Sequence, residues 1–193
     1  PSLSVHPYFQ IYNEECPQVM RKVCHNAIAT TQVSRGDVVF TLGEIPARPR
    51  MYIVCMGNLE YTKVYGASCI VTHEDEQWVS EAALWTQWMH RGILKAMSNC
   101  RLVTLDATLF QDIVGGFEHL DFDPRKYAAQ YVHHLNLNVD TVTDLPLGEE
   151  TNMAKAMHRK PDSQSKAIAS VRATLARALS RANSFDWDGD EDD

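Results

Sequence analysis

The spacing of apolar positions changes character along the chain. Between His6 and Ala29, Val19, Val23, Cys24 and Ala27 recur at helical spacing, and Pro17 interrupts the run. A helical segment broken at that proline, packing on whatever follows, is predicted. From Thr30 the pattern is of β type. Val38-Val39-Phe40 and Leu42 form a run behind the turn Arg35-Gly36-Asp37, and Gly43-Glu44 ends it. Ile45-Pro46-Ala47-Arg48-Pro49-Arg50 reads as a loop, because proline removes donors and restricts its neighbours. Met51 to Met56 is a second run. Gly57-Asn58 then turns the chain into Leu59 to Val64, which alternates with period two as a hairpin partner does. Gly66 turns it again into Ala67 to Thr72. After the polar loop His73 to Gln77, Trp78 to Gly92 reads as a brief helix-like turn between strands. Ile93 to Met97 and Arg101 to Leu105 are two more strands around Ser98-Asn99. Asp106 caps a helix through Phe110, Ile113 and Val114 that stops at Gly115-Gly116. Asp123-Pro124 starts another, running to about Leu135.

Short strands with turns every ~8–12 residues, flanked by helices, predict a sandwich, barrel or roll. A length of 193 residues holds one domain of ordinary size and a tail. The formal net charge of −7 argues against general nucleic-acid binding, which calls for a basic face. No run of ~18 apolar residues is available to span a bilayer. A start at Pro1 fits a chain processed or cut from a longer one. The cysteines Cys16, Cys24, Cys55, Cys69 and Cys100 stand singly, as reduced thiols in a cytoplasmic protein do. Neither CxxC nor HxxxH spacing occurs, so no metal or cofactor is expected. His133-His134 is a lone pair, and His73 and His90 are too few for a cupin-type site. No nucleophile elbow or phosphate-binding loop is present, and no catalytic role is expected.

The segment Trp78 to Gly92 carries Glu81, Trp85, Trp88 and the pair His90-Arg91. An acid and a base a few residues apart on a loop between strands suit a small ligand with a hydroxyl and an anion. The chain from about His6 to Asn138 resembles a cyclic-nucleotide-binding domain, the β-roll with flanking helices of kinase regulatory subunits, bacterial transcription regulators and cation channels. The resemblance rests on Gly36-Asp37-Val38-Val39-Phe40, Gly43-Glu44, Met51 to Val54 with Gly57 and Leu59, Ser80-Glu81-Ala82-Ala83-Leu84, and Leu102 to Leu105 with Phe110. It implies an α+β, mainly β, fold: an antiparallel β-roll, jelly-roll-like, with helices on either side. Residues 1–29 would be the N-terminal helical segment, 30–138 the roll with its C-terminal helices, and 139–193 a linker, basic helix and acidic tail.

In that family the ligand lies in a phosphate-binding cassette, Phe-Gly-Glu-x-Ala followed by Pro-Arg and two small residues. The resemblance implies that Glu81 accepts from the ribose 2′-hydroxyl and that Arg91 pairs with the cyclic phosphate. Strict spacing puts His90 at the arginine position. Ser80, Ala82 and Ala83 flank the glutamate, and Gly92 and Ile93 take the small pair. Backbone N–H groups at the start of the short helix would share the anion. Lack of serine or threonine after the arginine leans toward cAMP over cGMP. Tyr127 or Tyr131, one turn apart on the helix that closes over the base, is placed to stack on the purine. Trp85 and Trp88 read as packing anchors. Three departures stand out: Val79-Ser80 replaces Phe-Gly, the proline is absent, and the tryptophans add bulk. They imply a vacant or self-filled pocket, as in the homology domains of some channels.

From Gly148 the composition shifts. Met153 to Lys166 is polar and basic and reads as flexible. Ile168, Val171, Leu175 and Leu179 recur at helical spacing with arginines opposite, ahead of the acidic block Asp186 to Asp193. This is a docking segment by pattern. Ser180 and Ser184 each follow an arginine by three residues and are candidate phosphorylation sites. Two functions follow. One is a non-catalytic regulatory module that binds a cyclic nucleotide and relays it to an attached kinase or channel, cytoplasmic or at the cytosolic face of a membrane through its parent. The other is a ligand-free homology domain acting as a protein-interaction module.

Overall fold

The structure is a computed structural model that describes residues 3–74, 78–119 and 122–157. It opens with a single turn of 3-10 helix, Leu3–Val5, and two helices, α1 (Pro7–Glu15) and α2 (Pro17–Asn26). Each helix has proline in its first turn, where a missing N–H costs nothing, so Pro17 both ends one helix and starts the next. Eight strands follow: β1 (Ile28–Val33), β2 (Val38–Phe40), β3 (Arg50–Met56), β4 (Leu59–Lys63), β5 (Ser68–Val71), β6 (Trp78–Val79), β7 (Gly92–Ala96) and β8 (Cys100–Asp106). A second 3-10 turn, Glu81–Leu84, lies between β6 and β7. Then come α3 (Ala107–Gly115), α4 (Pro124–Leu137) and α5 (Glu150–Lys155). Asp106 and Asp123 cap α3 and α4 through their carboxylates, on Leu109 N–H at 3.1 Å and Arg125 N–H at 3.2 Å.

The strands form two antiparallel sheets, in the orders β1-β8-β3-β6 and β2-β7-β4-β5. The register runs Ile28 to Leu105 through Val33 to Cys100 on one side of β8, and Met51 to Leu105 on the other. Two buried layers result. Phe40, Val54, Leu59, Tyr61, Leu94 and Leu102 fill the space between the sheets. Met51, Ile53, Val103 and Leu105 face the helices and meet Tyr8, Phe9, Tyr12, Phe110, Tyr127 and Tyr131. The central strands of the first sheet, β3 and β8, are thus buried on both faces, which explains their largely apolar runs, whereas β1 is partly exposed. Strand β7 buries alternate residues only.

The predicted α+β class, roll and flanking helices are present. Three local readings differ. Ile28 and Ala29 belong to a strand, not to the end of the first helix; β1 is rich in β-branched residues and pairs along its whole length with β8. Trp78-Val79 is a short strand on β3. Residues 139–157, read as linker and the start of a flexible tail, are built into the domain. Leu145, Met153, Ala154 and Met157 are buried, and α5 packs on α1 and α4. The amphipathic segment Ile168 to Ala182, Ser180, Ser184 and the acidic end lie outside the described residues.

Candidate functional site

Strand β6 delivers the chain to Ser80, which sits at φ +66°, the one non-glycine residue with positive φ among the described residues. This is where the resemblance places a glycine, so the backbone keeps a conformation that the side chain makes costly. Ser80 is fully buried and its Oγ has no hydrogen-bond partner. The turn aims Glu81 into the helical layer, where it is 2% exposed. Its Oε1 accepts from the Tyr127 hydroxyl at 2.7 Å and from Trp85 Nε1–H at 3.0 Å. Its Oε2 lies 2.8 Å from His6 Nε2. His6 Nδ1 accepts the Tyr8 N–H at 3.2 Å as it caps α1, which leaves Nε2 as the donor to Glu81. Burial, then the nearby Glu81 charge, push the Tyr127 phenol well above its ordinary value, so it keeps its proton and donates. Ala82 and Ala83 are buried beneath the same layer.

The other end of the cassette is organised by a residue that the sequence reading passed over. Asp144, on the segment after α4, is 2% exposed. Its Oδ1 accepts from Trp88 Nε1–H at 2.7 Å and His90 Nδ1 at 2.8 Å. Its Oδ2 accepts from the Tyr61 hydroxyl and from the Arg91 backbone N–H, both at 2.7 Å. Every lone-pair direction of the carboxylate is used. Two main-chain bonds add to this: Asp144 N–H donates to the Tyr61 oxygen at 3.1 Å, and Ser80 N–H donates to the Asp144 carbonyl at 2.6 Å. Leu145 beside it is buried between the sheets. Burial, then the Asp144 charge, drive the Tyr61 phenol far above its usual range, which fixes it as a donor. The His90 ring stacks on Phe40, centroids 3.7 Å apart and planes 4° from parallel. Gly92 is glycine for a packing reason: a Cβ there would lie 2.5 Å from Tyr61 Cζ.

Glu81 and Arg91 share no partner. Glu81 is held by α1, α4 and Trp85; the Arg91 guanidinium lies over the Trp88 ring, 5.7 Å from its centroid. Ile93 points away from the roll and is 38% exposed. Tyr127 and Tyr131 stack at 6.1 Å within the aromatic layer, and the Tyr127–Glu81 bond already holds α4 against the cassette. Both tryptophans, read as packing anchors, also spend their indole N–H groups on the two carboxylates. Asp144 had one available signal: Val142, Leu145 and Leu147 surround it, an apolar cluster out of place in a linker. His6 had another, as a polar residue directly before a helix-starting proline.

No family model matches the chain, and no curated protein does. Solved structures do. The chain is similar to the sensor domain of the transcriptional regulator DNR from Pseudomonas aeruginosa, at 14% identity and TM-score 0.51, over 72% of this chain and 91% of that one. It is similar to cAMP-bound PfPKA-R at 18% identity and TM-score 0.51, over 79% of this chain and 51% of that one. The fold is the cyclic-nucleotide-binding β-roll.

Proposed function

We propose that this chain is a non-catalytic regulatory or interaction module on the cyclic-nucleotide-binding β-roll, with its cassette occupied by its own Asp144 and Leu145 instead of a nucleotide. One observation carries the reading: a carboxylate from beyond α4 takes the Arg91 backbone N–H, an indole, an imidazole and a phenol at 2.7–2.8 Å. Four donors converging on one carboxylate make a preorganised anion site at the Arg91 end of the cassette. The Glu81 carboxylate, which the resemblance assigns to the ribose, is spent on His6, Trp85 and Tyr127.

Energetics favour the internal occupant. A tethered group competes at an effective concentration in the millimolar range for a short linker, before any preference of its own. Burying Leu145 adds about 1.5–3 kcal/mol to the seated state. A nucleotide would have to displace both and also free Glu81, so its apparent affinity falls with the fraction of open cassette.

Calorimetry with cAMP and cGMP tests this. The native chain is expected to give no saturable heat at millimolar nucleotide. Saturable binding by the native chain, weakened by Glu81→Gln, would replace this reading with that of a nucleotide sensor.

A further inference from the structure

Arg91 divides its two ends between two environments. Its backbone N–H holds Asp144. The residue also borders a separate cleft of about 200 Å³ between the 86–91 loop and the end of α4. Thr86, Gln87 and Asn136 supply polar groups there, Leu135 and Val142 apolar ones, and no carboxylate is in the lining. Among the described residues Arg91 makes no ion pair, and its buried Nε has no hydrogen-bond partner. A guanidinium is charged at every accessible pH and carries five donors. Leaving a buried N–H of such a group unpaired is costly. In a chain with 25 acidic against 18 basic residues, this guanidinium meets the Trp88 ring, 5.7 Å to its centroid, and no carboxylate in the cleft it borders.

We propose that this cleft is a receptor for a small organic anion, a carboxylate or phosphate monoester with a short apolar body. Arg91 supplies the charge, the amides of Gln87 and Asn136 orient the head group, and the apolar wall takes the body. The volume is below the ~300–1,000 Å³ of pockets that enclose drug-sized ligands, so a nucleotide is too large. The proposal deepens the preceding reading and rests on Asp144 being seated. Trp88, which donates to Asp144, and Val142, on the same segment, both border the cleft. An occupant therefore presses on the parts that hold the carboxylate in place and favours the closed cassette. By linkage, a seated Asp144 favours the occupant.

The test is an NMR titration of the full chain with isobutyrate, following the Arg91 Nε–H and Trp88 Nε1–H resonances. Inorganic phosphate serves as a second probe and neutral isobutyramide as the control. Saturable shifts with isobutyrate or phosphate and none with isobutyramide support the proposal, and the tighter probe names the source of the anion. In Arg91→Gln, which keeps the backbone N–H on Asp144, affinity should fall at least about tenfold. Equal shifts with isobutyramide, no saturation with either anion, or unchanged affinity in Arg91→Gln would overturn it. A native chain that binds cAMP but neither probe defeats this proposal and the previous one together. One that binds neither nucleotide nor probe defeats only this one.

Discussion

Glu81 and Asp144 are buried to the same extent, one in the helical layer and one against the roll interior, yet they are held differently. Glu81 is held by side chains alone: one a turn away, two from helices at either end of the domain. Asp144 is held by side chains and by a strand-entry N–H, and its own main chain is bonded on both sides. Neither carboxylate forms a hydrogen bond with a lysine or arginine side chain among the described residues. Their charges are balanced by preorganised dipoles, which is effective only where every oxygen is satisfied. Glu81 ties helices to the cassette. Asp144 ties Tyr61, Trp88, His90 and the entry to β7 to the segment after α4.

The comparison can be broken most severely at Asp144. Asp144→Ala leaves the Trp88, His90 and Tyr61 donors buried without an acceptor, and a loss of about 3–5 kcal/mol is expected in urea unfolding. Glu81→Gln should cost less, about 1–3 kcal/mol. One oxygen can still accept from Trp85 and Tyr127, but the amide must face His6 Nε2, whose tautomer is pinned by the Tyr8 N–H. Equal losses would mean that the two nodes are equivalent after all.

Smaller effects sharpen the contrast. Ser80 joins the nodes, since its N–H reaches Asp144 and its successor is Glu81. Ser80→Gly relieves a left-handed φ and an unpaired buried hydroxyl, and should stabilise by about 1 kcal/mol in the same assay. Glu150 reports on the Glu81 side. Burial first, and Glu81 second, raise its carboxyl above the ordinary 4.5. Its folded pKa exceeds its unfolded one, so the associated stability is complete below 4.5 and is lost as pH rises through the shifted value. Glu150→Gln should therefore gain on the native chain as pH rises from 4.5 through the shifted value. A difference that stays constant with pH would mean that burial and the Glu81 charge do not raise the Glu150 carboxyl.

Much of the frame was legible because it rests on local rules. Prolines at 17 and 124, the caps at 106 and 123, and the turn at Gly57 each act over a few residues. The cassette turn was legible as well, through the order Ser80-Glu81-Ala82-Ala83. What sits opposite each charge was not. His6 meets Glu81 across 75 positions and Tyr61 meets Asp144 across 83, and no periodicity encodes such pairings. Strand β1 was obscured by its contact with a helix end. Asp144 was obscured by its short, proline-containing surroundings, which resemble a connector until the packing of Leu145 is seen.

The position of Asp144 late in the chain has a consequence for assembly. A polypeptide emerging N-terminus first completes all eight strands well before this residue is made. Until it is available, Tyr61, Trp88 and His90 lack the acceptor that they share in the folded chain. Completion of this network thus waits for a late segment, and a chain truncated before Asp144 would leave those three donors without their common acceptor.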